Sequence, residues 1–331
     1  MSTIYCTYFD KGFLLKGLAL YESLIRYSPD AKLWVLAFDE YTYKILNKLK
    51  LKGVTVIKLS NFEDRELLAV KPTRQFFEYY WTCSPSLPLY VFNKNKDANY
   101  VVYLDADLYF YSDVAPGVRE IGDKSILIVE HRFPKGREGI AETAGKFNVA
   151  FNVFKRDIEG INCLKRWRGQ TIEWCYAQPE NGKMGDQMYL NEWPKLYKNV
   201  VLSKNLGVDA APWNISQYKV KKTNGYIYIN QDKLICYHFH QFQILSATSF
   251  SRVHGFTLSK EVVENIYIPY EIEIKKQYKR LRNIDPTFTI TAPKQNTAQL
   301  TRQKLAKFVG PIYWKYLALV RVLKDRFNKN D

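Results

Sequence analysis

The chain contains no stretch of eighteen apolar residues, so no segment of it is expected to span a membrane by itself. Its opening residues, Met-Ser-Thr-Ile-Tyr-Cys-Thr-Tyr-Phe, carry neither a basic n-region nor an apolar h-region with a cleavage site, which speaks against secretion. Cysteine is scarce: five residues (Cys6, Cys83, Cys163, Cys175, Cys236), odd in number, scattered and without a C-x-x-C pair. A zinc site is therefore not expected, and free thiols in apolar surroundings fit a reducing cytosol. The glycine-rich phosphate cradles are also missing. No G-x-G-x-x-G follows the first predicted strand and no G-x-x-x-x-G-K-[ST] occurs, which argues against a dinucleotide fold and a P-loop enzyme. A nucleotide could still be held with its phosphates on a metal.

What the chain does have is apolar mass and positive charge. Its 331 residues are 47% hydrophobic and 15% aromatic, ample for a packed core in one large α/β domain with an extension, or in two modest domains. The net charge is +16. Residues 259–331 hold 15 Lys and Arg against 7 Asp and Glu, a surplus of 8 and thus half of the total. Such a surface could meet nucleic acid or anionic lipid, so its pattern has to decide.

The first sixty residues alternate between two periods. Ile4–Phe9, Leu33–Phe38 and Val54–Leu59 read as strands. Between them, a helix over Phe13 to Tyr27 and a second one capped by Asp39 place apolar residues at helical spacing. That alternation predicts a parallel sheet with right-handed crossovers. Residues 62–95 read as mostly helical, broken at Pro72, Pro85 and Pro88. Further strands are expected at Ser125–Glu130 and Phe147–Phe154, and helices at 158–176 and 185–193. Tyr226–Asn230 and Leu234–Phe239 read as a short hairpin.

Asn99-Tyr-Val-Val-Tyr-Leu-Asp-Ala-Asp107 delivers two aspartates, Asp105 and Asp107, at the end of a strand rich in β-branched and aromatic residues. On an extended chain both carboxylates point to one face. Two carboxylates aimed at one spot repel unless a cation lies between them, and a divalent ion such as Mg²⁺ or Mn²⁺ with a substrate's phosphates is the natural occupant. Far downstream, Leu234-Ile-Cys-Tyr-His-Phe-His ends a strand with His238 and His240 on one face, two of only four histidines in the chain. Imidazole suits Mn²⁺ better than Mg²⁺.

In this order the motifs resemble the nucleotide-sugar glycosyltransferases of family eight, the GT-A group that includes glycogenin and bacterial lipopolysaccharide galactosyltransferases. The likeness runs from residue 3 to about 242. Thr7-Tyr8-Phe9-Asp10 resembles the family's first-strand nucleotide-binding turn, carrying over Thr7, Tyr8 and Asp10 as donor contacts. Tyr103-Leu-Asp-Ala-Asp resembles its metal motif, with Asp105 also at the donor, and Phe147-Asn-Val-Ala resembles its F-N-A-G segment, carrying over Asn148 to the donor sugar. Gly185-Asp-Gln-Met-Tyr-Leu-Asn resembles its D-Q-x-x-L-N helix start, carrying over Asp186 and Gln187 to the reacting face of the sugar. His238-Phe-His resembles the H-F-x-G that supplies the metal's histidine, favouring His238 as the third ligand beside Asp105 and Asp107. Gln241 stands where that motif has glycine, and the Lys-Pro-Trp whose lysine grips the diphosphate is absent. A clear A-R-L before the metal strand is absent too, with Arg74 and Lys71 the nearby substitutes.

The resemblance implies a GT-A-like, Rossmann-type, mostly parallel sheet flanked by helices. It also implies retaining transfer of a sugar from a nucleotide-sugar donor, UDP-linked, with Mn²⁺ or Mg²⁺ as cofactor. The expected acceptor is a saccharide or lipid-linked saccharide in cell-surface polysaccharide synthesis. Beside this stand a sugar-1-phosphate nucleotidyltransferase and a non-catalytic, membrane-bound saccharide-binding protein. The former should carry a glycine-rich N-terminal loop, and residues 7–12 contain a single glycine.

The expected layout is a catalytic body over 1–258, a helical extension over 259–283, a linker over 284–299 and a basic amphipathic helix over 300–331. In that last segment Leu305, Phe308, Val309, Ile312, Tyr316, Leu319, Val320, Leu323 and Phe327 form one face among lysines and arginines. The pattern predicts a peripheral anchor on an anionic membrane, at the cytoplasmic face, rather than binding to nucleic acid, for which no recognised module is present. An alternative is a helix packed on the body with its charges merely solvated.

Overall fold

The computed structural model describes residues 2–290, so the predicted amphipathic helix and most of the predicted linker lie outside the described residues. The chain opens as β1 (Thr3–Phe9), α1 (Leu14–Tyr27), β2 (Lys32–Ala37), α2 (Glu40–Leu49) and β3 (Val54–Lys58). Asp39 caps α2 as expected, its carboxylate accepting from the Thr42 amide at 2.6 Å. Then come α3 (Leu59–Phe62), α4 (Arg65–Val70), α5 (Phe76–Cys83) and α6 (Ser86–Lys94). Pro88 does not break α6, because it sits in the first turn, where its missing N–H has no intrahelical partner to lose.

The second half supplies β4 (Tyr100–Leu104), β5 (Leu108–Phe110), α7 (Ala115–Arg119), β6 (Ile126–Glu130), α8 (Ile140–Ala144), β7 (Phe147–Lys155) and α9 (Ile158–Glu173). It continues through α10 (Trp193–Leu196), β8 (Val200–Leu202), β9 (Val220–Thr223), β10 (Tyr226–Ile229), β11 (Asp232–Lys233) and β12 (Cys236–His238). The central sheet has seven strands in the order β3-β2-β1-β4-β7-β6-β8. β1, β2, β3 and β4 are parallel neighbours, and only β7 runs against its neighbours. The expected mostly parallel α/β sheet is what the chain forms. Two apolar clusters cover it, one centred on α1 and the β5–β12 ribbon, the other on α5, α6 and α9.

Two local expectations need correction. Leu234–Phe239 is not the hairpin partner of Tyr226–Asn230. β10 pairs with β9 and with the two residues of β11, while β12 leaves to pair antiparallel with β5. Leu234, Ile235, Tyr237 and Phe239 are all buried, and the main core draws them away from a surface hairpin. Residues 185–193 do not begin as an α-helix either. Gly185 adopts φ +55°, and a 3₁₀ turn over Met188–Glu192 precedes α10.

Beyond β12, α11 (Lys260–Val262) runs through a π-helical turn into α12 (Ile268–Ile284), which lies against α1. Glu273 pairs with Arg26 at 2.6 Å, and Tyr270 stacks on Phe239 with ring centroids 3.7 Å apart. Just after α12, Phe288 is buried and stacks on Tyr41. All five cysteines are free and buried. Among the described residues, no helix is long and apolar enough to cross a membrane.

At Gly17, α1 comes close to the sheet: an added Cβ would lie 2.3 Å from the Phe9 ring. Gly17→Ala should therefore destabilise the fold by about 1–3 kcal/mol through overpacking. Gly169, in the middle of α9 with nothing within 4 Å of an added Cβ, is the control. Gly169→Ala should stabilise by about 0.5–1 kcal/mol. Denaturant titration of the two variants reads both signs.

Candidate functional site

The two aspartates converge by a mechanism other than strand alternation. β4 stops at Leu104, and the Leu108 amide donates to the Asp105 carbonyl at 3.1 Å, closing a β-turn with Ala106 and Asp107 at its centre. The turn, not a pleat, brings both carboxylates to the carboxyl end of the sheet, where open α/β sheets bind ligands. Tyr103 donates its hydroxyl to Asp105 Oδ1 at 2.9 Å and holds that side chain in place.

β12 pairs with β5 so that His238 lies opposite Leu108, the residue after Asp107. Its Nε2 is 3.2 Å from Asp107 Oδ1 and 4.0 Å from Asp105 Oδ2. One ligand atom from each of Asp105, Asp107 and His238 falls within 4.8 Å of the others. Two carboxylate oxygens and one imidazole nitrogen suit Mn²⁺ or Mg²⁺, the first more than the second. His240 reaches the same cleft, 5.9 Å ring to ring from His238, but is not part of that triad.

The far side of the His238 ring reveals a residue that the sequence did not single out. Asp209 is fully buried, and its Oδ1 lies 3.2 Å from His238 Nδ1. A carboxylate behind a histidine fixes the ring's tautomer and leaves Nε2 free to face a metal. Asp209 Oδ2 has no hydrogen-bond partner, which marks the residue as more than packing. Arg132 holds the loop that carries it, donating to the carbonyls of Asn205, Val208 and Asp209. Its guanidinium is thereby spent on the loop backbone. No local pattern in the sequence links Asp209 to His238.

A cleft of about 510 Å³ opens in front of the triad. On its other wall lie Asn148, Asp186 and Gln187, with Tyr8 and Asp10 at the β1 end. A bulge in β7 opposite β6, between the Leu127 and Val129 pairings, sets Asn148 at the cleft. Asn148 is locked by its own bonds, accepting from the Ala150 amide at 2.7 Å and donating to His131 Nε2 at 3.0 Å. Gln187, not Asp186, stands at the N-cap of the following 3₁₀ turn, and no side chain caps it. Gln187 donates its amide to the Ala144 carbonyl. Phe13, Phe76, Tyr80, Trp81, Phe133, Trp213 and Phe256 make the remaining wall largely aromatic. Trp213 is both a buried residue and a wall of the cleft, its Nε1 donating to the His131 carbonyl.

Two expected donor residues do not line this cleft. Thr7 is buried within β1, and Arg74 stacks over Tyr176 and donates to the Ile172 carbonyl. Lys71 pairs with Glu63 at 2.6 Å.

The site drives its acids apart. Burial, then repulsion from Asp105, pushes Asp186 up to about 7. Burial also raises Asp105, to about 6, against the pull of His238. Asp107 goes the other way: burial works against its charge, but His238 and Lys16 outweigh it and hold the carboxyl well below the usual range. Burial opposes the His238 imidazolium, yet Asp107 and Asp209 on its two sides raise its pKa well above the ordinary value. His131 and His240 are both lowered by burial, to about 4, and stay neutral.

Fold and site together define a mixed α/β protein with an acidic, histidine-bearing cleft at the carboxyl end of its parallel strands. The chain belongs to the family of YfnD and YfnF from Bacillus subtilis strain 168. It is 32% identical to the uncharacterized protein YfnD over 292 residues, which span 87% of this chain and 94% of YfnD. Identity to the uncharacterized protein YfnF is also 32%, over 303 residues covering 89% of this chain and 99% of YfnF. No protein-family model matches the chain. Among solved structures it is similar to galactosyltransferase LgtC in complex with donor and acceptor sugar analogs, with a TM-score of 0.49 and 13% identity, over 88% of this chain and 98% of that one. Apo mouse xyloside xylosyltransferase 1 gives a TM-score of 0.47 and 14% identity, over 73% of this chain and 98% of that one.

Asp209→Asn should weaken Mn²⁺ binding by about 10–100-fold, because the carboxylate that orients His238 is lost while the volume is kept. Calorimetric titration with Mn²⁺ checks this. Unchanged affinity would reduce Asp209 to a packing residue.

Proposed function

We propose that the protein is a metal-dependent glycosyltransferase that moves a sugar from a UDP-linked donor, with retention of configuration, to a saccharide or lipid-linked saccharide acceptor in cell-surface polysaccharide synthesis. The observation that carries this reading is the convergence of Asp105, Asp107 and His238 across one cleft from Asn148, Asp186 and Gln187. Four segments spread between residues 105 and 238 supply side chains of the types that sugar transfer from a nucleoside diphosphate needs.

Asp105, Asp107 and His238 Nε2 would hold a divalent metal, with Tyr103 and Asp209 fixing the first and last of these. When bound, that metal offsets as a Lewis acid the charge that grows on the departing diphosphate. Tyr8 and Asp10, which line the cleft near β1, would contact the nucleoside. Asp186 would accept hydrogen bonds from sugar hydroxyls. Gln187, a neutral amide, would lie beneath the anomeric carbon and support its developing positive charge. An amide is a poor nucleophile, and Asp186 is buried with a raised pKa, which disfavours a covalent glycosyl intermediate of the kind retaining glycosidases form. Front-face transfer follows, with the departing phosphate taking the acceptor's proton. The aromatic wall suits the apolar faces of sugar rings and excludes water from the reacting centre.

Incubation with a panel of nucleotide sugars and Mn²⁺ tests the reading. Transfer or slow donor hydrolysis supports it, pyrophosphorolysis of the donor would indicate a nucleotidyltransferase, and no reaction with any donor would indicate a binding protein. NMR of the new linkage should show the donor's anomeric configuration, and an inverted product would remove the retaining assignment. Asp107→Ala should abolish turnover, a loss of about 10³-fold or more, and turnover that survives both this change and a chelator would sink the metal assignment. Gln187→Ala should lower kcat by roughly 10²-fold while moving the donor KM little, since it acts on charge that develops only in the transition state. Steady-state kinetics on the best donor separates the two constants.

A further inference from the structure

The cleft sets an electrostatic problem for an anionic donor. Asp10, Asp105, Asp107 and Asp186 line it, and among the described residues its wall contains no lysine and no arginine. A nucleoside diphosphate would bring several more negative charges into that space. The expected diphosphate lysine after His238 is missing from the sequence, and neither Arg74 nor Lys71 reaches the cleft.

Directly behind the wall, at the acidic cluster, stands a cation. Lys16, on α1, places Nζ 3.7 Å from Asp107 Oδ2 and 4.3 Å from the centre of the Phe13 ring. Asp107 and Phe13 both line the cleft, and the Lys16 side chain is only 8% exposed. The other oxygen of Asp107 faces His238 Nε2 at 3.2 Å. Lys16 and the metal position therefore share one carboxylate from opposite sides.

A positive charge in this place acts with opposite signs on the two ligands. It repels a divalent cation arriving alone. It attracts the same cation once a diphosphate has turned the pair net negative. We propose that Lys16 is the built-in counter-charge of this site, weakening metal binding alone and strengthening binding of metal with a diphosphate, so that the two are taken up as a unit. This rests on reading the cleft as a nucleotide-sugar site. Lys16 is a positioning residue acting through Asp107 and through its field, and it touches no reacting atom. The coupling keeps the acidic cluster from being filled by metal without donor, and it ties release of the metal to release of the nucleoside diphosphate.

The test is calorimetry on the full chain, with Mn²⁺ alone and then with UDP at saturating Mn²⁺, GDP and TDP beside it. Lys16→Met should bind Mn²⁺ alone several-fold more tightly and UDP about tenfold or more weakly, a crossing of signs that a merely structural residue does not produce. Lys16→Arg, which keeps the charge, should keep the wild-type ratio of the two affinities. If Lys16→Met lacks a cooperative melt, Lys16→Gln replaces it and must show the same crossing. Both affinities unchanged, both weakened together, or an arginine variant that behaves like the methionine one would overturn the proposal. A wild-type protein that binds Mn²⁺ and a nucleoside diphosphate but shows no crossing in the neutral variant overturns the counter-charge alone. A wild-type protein that binds neither Mn²⁺ nor any of the three nucleotides overturns the functional reading, and the counter-charge with it.

Discussion

The constraint on which the rest depends is the crowding of two carboxylates at one tight turn. Asp105 and Asp107 lie within 4.8 Å of a shared partner in a poorly solvated cleft, where like charges repel far more strongly than in water. Something must hold them. Tyr103 binds one oxygen of Asp105, Lys16 faces one oxygen of Asp107, and His238 faces both acids. Each of these groups comes from a different element, so the cluster is a joint product of β1–α1, β4–β5 and β12. A divalent cation completes such an arrangement more fully than any of them, since it alone brings two charges to one point.

The opposite wall solves a different problem. Asp186 is buried with no cation beside it, and burial raises its pKa to about 7 while Asp107 is driven below the usual range. Carboxyls of the same chemistry, in one cleft, are thereby given different roles by their surroundings. Asp107 is held ionised by His238 and Lys16, while Asp105 beside it is raised by burial to about 6. Asp186 is raised further, suited to hydrogen-bonding with hydroxyls.

Much of this was legible in sequence, and the rest fails for identifiable reasons. The α/β alternation of the first sixty residues and the Asp39 cap are local signals, and local signals survive folding. The Asp-x-Asp pair was legible as a cluster but misread in its geometry, because nothing in Leu104-Asp-Ala-Asp-Leu108 distinguishes a continuing strand from a turn. The β12 segment read as half of a hairpin because its nearest strand-like neighbour in sequence is β10; its true partner, β5, lies about 130 residues earlier. Asp209 was invisible for the same reason. Its contact with His238 spans 29 residues of loop and ribbon, and a lone aspartate before Ala-Ala-Pro has no signature. Lys16 was hidden in plain view on α1, one of 49 basic residues in a strongly positive chain, where charge count says nothing about which one is buried.

Register then becomes the decisive quantity at this site. His238 faces the acids because β12 pairs with β5 as Cys236 to Phe110, Tyr237 to Tyr109 and His238 to Leu108. A slip of one residue would turn His238 into the aromatic core and bring Tyr237 or Phe239 to the carboxylates. The ribbon resists that slip through its buried face. Tyr237 and Phe239 pack among Tyr267, Tyr270 and Phe242, on the side away from the cleft, and a one-residue shift would expose both rings. α12 therefore serves the site without touching it: by stacking Tyr270 on Phe239 it pins the strand that carries the histidine. The aromatic core on one face of the ribbon and the acid–histidine cluster on the other are two consequences of a single strand register.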